Sequence, residues 1–587
     1  MTERKEEFKE QIQDGKLLPG FSGIGSFRGR RFADLSADEQ TITSHFFTNP
    51  DSNVYAASDA LPNELWALLM GQYARSNLTA KERLIQLFND IPKKNPSAKT
   101  LGEIASTIRS GRRVDDDLKQ HMKMAGEFIE TWGINYGHAS LRDSEPIRIC
   151  FEGVSQRATK ILESAREGAY QEQSTRALPF NLANMAIPFE VRGTQFEDRF
   201  KVVGANLVAL YEEVRQRAIK RFNIKYAFLR ADSDRKIQEA TGDPTNKLSD
   251  KAWNGVVEAK AFDIARSLIP NNFTTSLGIT LNARRFQDQL TEWQSSELAE
   301  VQLLGKAAQI EVMKLSPSLM KYGNPSEFYA GLPQRGRELS EAYAPTKNRT
   351  YQNQEVRSVL ISATEGLEDL VLASILLKED ESGAPFSELV KSVKNLNTEE
   401  RRRIAESQYK DKEPFEINPK TTEIGSLTFE RTYDIGGYRD LQRQRGDRQQ
   451  TSPYSTNIGF HMPGEIFELG NDLPPRYFKA MEDVRKLHDD LKGEGLHSAA
   501  QYAPVMANLI THVVTLDPNQ LFYQAKLRAQ AAGADSYRAI ALREIQQGLD
   551  KMPTFNGLIE YDGTFYYPLN RLPEAVNGII KKAKEKK

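Results

Sequence analysis

The sequence predicts an α+β protein, mostly helical and built from two similar halves. Three observations predict it. Most of the chain carries apolar residues at helical spacing. Two segments, 146–152 and 425–434, read instead as short strands. Each of those strands leads into an arginine-rich tract, at 160–176 in the first half and at 438–451 in the second.

Residues 1–55 form an irregular, Gly-rich lead. Its Gly20-Phe-Ser-Gly-Ile-Gly-Ser-Phe-Arg-Gly29 run follows no strand and opens no evident helix, so it reads as a plain loop rather than a phosphate cradle. Leu61 to Ser76 predicts an amphipathic helix, with Leu65, Leu68, Leu69 and Tyr73 on one face. Thr79-Ala-Lys-Glu82 is a capping box that starts the next helix. Helical patterning fits 117–132, 196–222, 250–268, 282–313, 354–377, 476–491, 499–531 and 534–550. Polar breaks fall at 322–350 and 378–420. The charge run Glu399-Glu-Arg-Arg-Arg403 reads as a solvated helix face, and the lysine-rich end at 581–587 as a frayed terminus.

The totals exclude several classes. A chain of 587 residues leaves room for two domains or more. Hydrophobic residues make up 39% and charged ones 27%, which suits packed cores in a soluble protein. A net charge of −1 is not the footprint of a nucleic-acid binder. The charged start, Met-Thr-Glu-Arg-Lys-Glu-Glu, carries no apolar h-region, so no signal peptide is expected. The best apolar run, Val371 to Leu377, is far too short for a membrane span. The single cysteine, Cys150, excludes an internal disulfide and a cysteine-rich zinc site, and reads as a buried strand thiol. A cytoplasmic protein, without metal, membrane or nucleic-acid partner, is the expectation.

The tract Arg166-Glu-Gly-Ala-Tyr-Gln-Glu-Gln-Ser-Thr-Arg176 is poor core material and good anion-binding material. Guanidinium forks hold phosphate or the edge of a heterocycle, and hydroxyls add orienting hydrogen bonds. In the second half the matching tract is Tyr438-Arg-Asp-Leu-Gln-Arg-Gln-Arg-Gly-Asp-Arg-Gln-Gln-Thr451. Further on, Ala265-Arg266-x-x-x-Pro270 precedes a helix expected to bear Thr280-Leu-Asn-Ala-Arg284. Its counterpart, Ala499-x-x-x-x-Pro504, precedes one expected to bear Thr515-Leu-Asp-Pro-Asn519. The two halves thus read as a diverged repeat.

Both halves resemble a flavin-dependent thymidylate synthase subunit, over roughly 130–315 and 420–550. The signature of that family is Arg-His-Arg-x-x-Ser-x-Asn-Glu-x-Ser-x-Arg. Arg166 matches its third residue, and Glu172, Ser174 and Arg176 match its Glu, second Ser and last Arg. His138 and Ser140 match a Gly-His motif that lies against the flavin; Asn282 and Arg284 match an Asn-Ala-Arg motif that holds FAD; Arg266 matches an arginine that reaches dUMP. The first half departs at Ser164-Ala165, where the family has Arg-His, and at Ala169, Gln171 and Ala177. It carries Trp293 where the family has the arginine that sits at the uracil. In the second half Thr451, Pro453 and Ser455 replace Glu, Ser and Arg, Asp517-Pro518-Asn519 replaces Asn-Ala-Arg, and Ala500 stands opposite Arg266. That half keeps Arg443-Gln444-Arg445 and has Arg528 opposite Trp293.

The losses are complementary, and the family's sites are shared between subunits. The resemblance therefore implies one composite site from both halves and a second, dead one. Its expected domains are the lead at 1–55, a first ThyX-like α/β unit at 56–325, a second at 345–560, and an extension at 561–587. The implied reaction is the methylation of dUMP, or a similar pyrimidine nucleotide, with FAD bound and with NADPH and methylenetetrahydrofolate as co-substrates. Arg528 is the expected catalytic cation at the uracil. Glu172, Gln173, Ser174, Thr175, Arg176, Arg266 and Arg443 are the expected substrate ligands. His138, Ser140, Arg166, Asn282, Arg284, Gln444 and Arg445 are the expected flavin ligands. Glu172 reads as orienting an arginine, taking a ribose hydroxyl, or forming a surface ion pair. The family's four-subunit body implies a homodimer of this chain. The rival reading is a non-catalytic homologue that binds a nucleotide or flavin, or scaffolds a partner.

Overall fold

The computed structural model describes residues 30–48, 50, 56–73, 78–128, 143, 145–176, 179–345, 351–413, 416–444 and 446–585. The chain divides into two compact units. One comprises Met1–Cys150, Gly278–Glu297 and Val301–Arg335; the other comprises Phe151–Leu277, Leu298–Glu300 and Gly336–Lys587. The elements are helices and small sheets, so the fold is α+β. Among the described residues no helix is long and apolar enough to cross a membrane.

The described residues of the first unit are mainly helical as far as Phe128. Helices at Ala37–Phe46, Asn63–Tyr73, Ala80–Lys94, Leu101–Arg109 and Asp115–Phe128 bury one core around Ile42, Phe46, Leu65, Leu84, Phe88, Ile104 and Leu118. Leu65, Leu68 and Leu69 are buried as the periodicity predicts, while the Tyr73 side chain lies outside the described residues. The Thr79 capping box is formed, with the Glu82 N–H donating to Thr79 Oγ1 at 3.2 Å. Such a cap is worth about 1 kcal/mol. Cys150 lies on a strand as expected but is exposed, because β1 turns that side chain away from its buried face.

The strands explain most departures from the sequence reading. They are β1 (Pro146–Ser155), β2 (Ala169–Glu172), β3 (Thr274–Asn282), β4 (Arg357–Ala363), β5 (Leu427–Asp434), β6 (Arg448–Thr451) and β7 (Leu509–Leu516). One sheet has the order β1-β3-β2 and the other β4-β5-β7-β6. The expected helix 354–377 is β4, then a left-handed Gly366 (φ 64°), then the helix Leu367–Leu377. The expected helix 499–531 is in large part β7 and the helix Pro518–Arg528. Thr280-Leu281 lies in β3 rather than on a helix, and 283–313 holds two helices, Ala283–Gln294 and Ala299–Met313. β-branched residues favour the extended state, and in Leu509-Ile-Thr-His-Val-Val-Thr-Leu516 every second side chain is packed inside.

The two halves repeat one order of elements. β1 ends on Ser155, whose Oγ accepts from the Ala158 N–H (3.0 Å) and caps the helix Gln156–Leu162. β5 ends on Asp434, which accepts from the Gly437 N–H (2.8 Å) and caps Ile435–Leu441. A four-residue strand follows in each, β2 or β6. β3 then runs to Asn282, which caps Ala283–Gln294, and β7 runs to Asp517, which caps Pro518–Arg528.

Within the second unit these parts meet in a reciprocal pattern. Pro270 pairs antiparallel with Val505. The Asn271 N–H donates to Pro504 O (3.1 Å), and the Met506 N–H donates to Ile269 O (2.9 Å). On the flanks, Gln156 N–H donates to Phe273 O (2.8 Å) and Ile435 N–H to Asn508 O (2.9 Å). Exchanging 156 with 435, and 271 with 506, maps each bond onto another. A local two-fold axis at Pro270 and Val505 produces that exchange, as in an isologous interface. The register puts Gln501, not Ala500, opposite Arg266, one residue from the alignment read in the sequence.

Candidate functional site

Four arginines from the two tracts and their helices gather around one buried carboxylate in the second unit. Asp440 stands on the helix Ile435–Leu441, all of whose residues are buried. Its Oδ2 accepts from Arg266 Nη1 (3.3 Å) and its Oδ1 from Arg443 Nη2 (3.2 Å). Burial alone would push its carboxyl up; the cations of Arg266, Arg176, Arg443 and Arg528 outweigh that and hold it far below the ordinary carboxylate range.

Arg176 is fixed more tightly. It grips Asp263 through two bonds, Nε to Oδ1 (2.5 Å) and Nη2 to Oδ2 (2.7 Å). It also donates to Tyr537 Oη (3.2 Å) and Ala532 O (2.8 Å). Burial opposes both charges, yet Asp263 holds the Arg176 guanidinium well above its ordinary pKa, and Arg176 holds Asp263 low. Removing one partner of such a pair strands the other, at a cost of about 3–5 kcal/mol.

A cavity of about 560 Å³ opens beside Arg443 and Arg528, with Gln444, Asp517, Asn519 and Tyr523 among its walls. The Nε atoms of Arg443 and Arg528 and the Oε1 of Gln444 are buried without a hydrogen-bond partner. A cavity of that size holds a small molecule, and unpartnered guanidinium donors favour one that is anionic and rich in acceptors.

Other predicted residues are placed differently. Glu172 faces inward: its carboxylate takes Lys160 Nζ (2.9 Å) and pairs with Arg439, in a buried cluster that also holds Glu163. Burial, with Arg439 beside it, draws the Lys160 amine down to about 7. Glu172 is therefore not a surface ion pair, since its side chain is buried with Lys160 and Arg439. Gln173 and Ser174 are exposed, and Ser174 Oγ accepts from the Arg176 N–H (3.2 Å). Thr175 is buried.

Arg166 lies against the second half's tract, donating to the carbonyls of Gln442 and Ser164, while its Nη2 is buried without a partner. The Asn282 side chain is spent as a helix cap, accepting from the Arg285 N–H (2.8 Å). Arg284 is paired with Asp143 at 3.3 Å in an exposed contact. His138, Ser140 and Arg445 lie outside the described residues. The donor set therefore fits a flavin in part. Orphaned atoms on Arg166 and Gln444 suit a ligand that offers both acceptors and donors, whereas the Asn282 oxygen is already engaged by the helix it caps.

The two-fold related position is built otherwise. Where Arg266 meets Asp440, Gln501 Oε1 accepts from Arg157 Nε (3.1 Å) and Nη2 (2.8 Å). Arg157 stacks over Tyr454 at 4.5 Å. Ser164, Ser455 and Ile161 stand where Arg443, Arg176 and Asp440 stand in the other. Trp293, opposite Arg528 in the repeat, is fully buried and packs edge-on against Phe286. Sequence reading missed Asp440, Asp263 and Tyr537. A carboxylate three residues before Arg443 and one three residues before Arg266 were the available signals.

Comparison with known proteins places this geometry in context. A UPF0159 protein of Chlamydia muridarum is 24% identical over 559 residues, covering 92% of this chain and 98% of that protein. A UPF0159 protein of Thermoplasma acidophilum is 25% identical, covering 81% and 97%. A flavin-dependent thymidylate synthase of Clostridium tetani is 24% identical over 216 residues, 36% of this chain and 75% of that enzyme. Among solved structures, the UMP/dUMP methylase PolB of Streptomyces cacaoi bound with 5-Br dUMP aligns with a TM-score of 0.29 at 13% identity, over 36% of this chain and 96% of that one. Residues 91–318 match the family model described as thymidylate synthase complementing protein. Over that segment the chain is similar to the ThyX-like proteins and to the flavin-dependent thymidylate synthases.

Proposed function

We propose that the chain is a fused pair of ThyX-like copies, at 56–325 and 345–560, with one composite site that binds a pyrimidine nucleoside monophosphate, dUMP foremost, and methylates it at C5. The observation that carries this reading is the gathering of Arg176 and Arg266 from the first half with Arg443 and Arg528 from the second around Asp440. Phosphate recognition suits Arg266 and Arg443, each of which holds Asp440 by one long contact. Arg176, anchored on Asp263, adds fixed positive charge beside them. Arg528 is assigned to the uracil. C5 attacks only as the ring takes on negative charge, and a cation at its edge stabilises that state. No protein nucleophile is required.

A flavin, when bound, would supply the hydride, with NADPH as reductant and methylenetetrahydrofolate as carbon source. Arg166, Gln444 and Arg445 are the residues assigned to hold it. The assembly expected is a homodimer with two such sites. The non-catalytic reading draws on two observations: Glu172 is locked in the Lys160 and Arg439 cluster, and Asn282 is spent as a cap.

Tritium release from 5-tritiated dUMP, with FAD, NADPH and methylenetetrahydrofolate present, tests the proposal. The parent should release tritium and Arg528→Ala should not. No release from a parent that binds no flavin would favour the binding homologue.

A further inference from the structure

We infer that Asp440 is a resident counter-ion, standing where the phosphate of the ligand goes, so that a phosphate-bearing ligand enters by displacing it. This rests on the reading of the arginine cluster as a nucleotide site.

Charge comes first. The cluster holds four guanidiniums and two carboxylates, Asp263 and Asp440. The two carboxylates are held unlike each other. Asp263 is locked, with two short parallel bonds to Arg176 and a third from Asn570 Nδ2 (2.6 Å). Asp440 has one bond from each of two different arginines, at 3.3 and 3.2 Å. Charge-assisted bonds of this kind normally close to 2.7–2.9 Å. Asp440 is thus strongly attracted and loosely gripped. It spans Arg266 from the first half and Arg443 from the second.

The neighbouring geometry points the same way. Arg443 also lines the cavity, and its Nε is buried without a partner, as is that of Arg528. A phosphate has three terminal oxygens, enough to take the contacts Asp440 makes and to reach a donor it leaves unmet. With Asp440 in place, two anions would compete for the same two arginines, and repulsion between like charges opposes the second. Asp440 therefore sets the affinity for the phosphate, and the exchange selects a ligand that brings an anion of its own.

The test measures binding of inorganic phosphate, dUMP and deoxyuridine to the full chain by calorimetry, for the parent, Asp440→Asn and Asp440→Ala. Both variants should bind phosphate and dUMP about tenfold tighter or more, since the competing anion is gone. Deoxyuridine, which lacks the phosphate, should bind all three within twofold. In phosphate-free buffer both variants should melt below the parent, and added phosphate should restore them. Equal or weaker phosphate binding by the variants would overturn the inference, because Asp440 would then be organising the arginines. If Asp440→Asn does not fold, Asp440→Ala removes the same charge with different sterics. Tighter phosphate binding without dUMP binding by any form would leave the counter-ion standing and sink the nucleotide reading. Parent dUMP binding that neither variant improves would do the reverse.

Discussion

The arginine cluster and its two-fold counterpart share a backbone and differ in charge. At one, Arg266, Arg443, Arg176 and Arg528 surround Asp440. At the other, Gln501, Ser164 and Ser455 stand at the first three positions, and one arginine, Arg157, is satisfied by a carboxamide and a tyrosine ring. The carbonyl and amide groups that cross at Pro270 and Val505 are the same in both directions. The difference teaches that the same backbone hydrogen bonds can be kept at both ends while side chains decide which end carries the charge. Guanidiniums gathered in one partly buried place are expensive without an anion to meet them. The counterpart has shed that cost.

The largest effect that would sharpen the contrast is at the cluster itself. Arg266→Ala and Arg443→Ala should each weaken dUMP binding about thirtyfold or more, the scale for truncating one partner of a buried charged contact. Calorimetric titration reads it; a loss under threefold in either would break the assignment of those residues.

A smaller effect concerns pH. Asp447 lies within the second tract, and burial pushes its carboxyl up to about 7. An acid whose folded pKa is raised favours its protonated form in the native state. Its penalty is absent below the unfolded value near 4, grows as pH rises, and is full above about 7. Asp447→Asn should therefore stabilise the chain by about 2 kcal/mol more at pH 8 than at pH 5. Denaturant melts at the two pH values check it, and an equal gain at both would mean that Asp447 is ionised throughout.

The smallest effect lies at the counterpart. Arg157→Ala should cost about 1 kcal/mol of stability, the worth of a partly buried cation–π contact, and leave dUMP affinity within twofold. A large loss of affinity there would show that both ends bind.

Much of the site was legible because it is written in arginines at fixed offsets. Arg176, Arg266, Arg443 and Arg528 were all named from the chain, and the structure brings them to one place. Asp440 was not singled out, since a carboxylate among arginines reads as ordinary charge pairing until its neighbours are known. Glu172 and Asn282 matched a motif by type but are held by Lys160 and by a helix end, contacts that no spacing reveals. In the fold, the helices Asn63–Tyr73 and Asp115–Phe128 followed from their apolar period and Ala80–Lys94 from its capping box, while Ala37–Phe46, in the stretch read as an irregular lead, and Leu101–Arg109 did not. β4 and β7 were read as helix because a short apolar run fits either period, and only pairing with β5 decides between them.

The central claim is that one site is drawn from both halves, and the stoichiometry of dUMP binding tests it most directly. Calorimetry on the parent should count one dUMP per chain, and binding should be lost in Arg176→Ala and Arg528→Ala alike. Two nucleotides per chain, or a variant of either half that binds as the parent does, would contradict it.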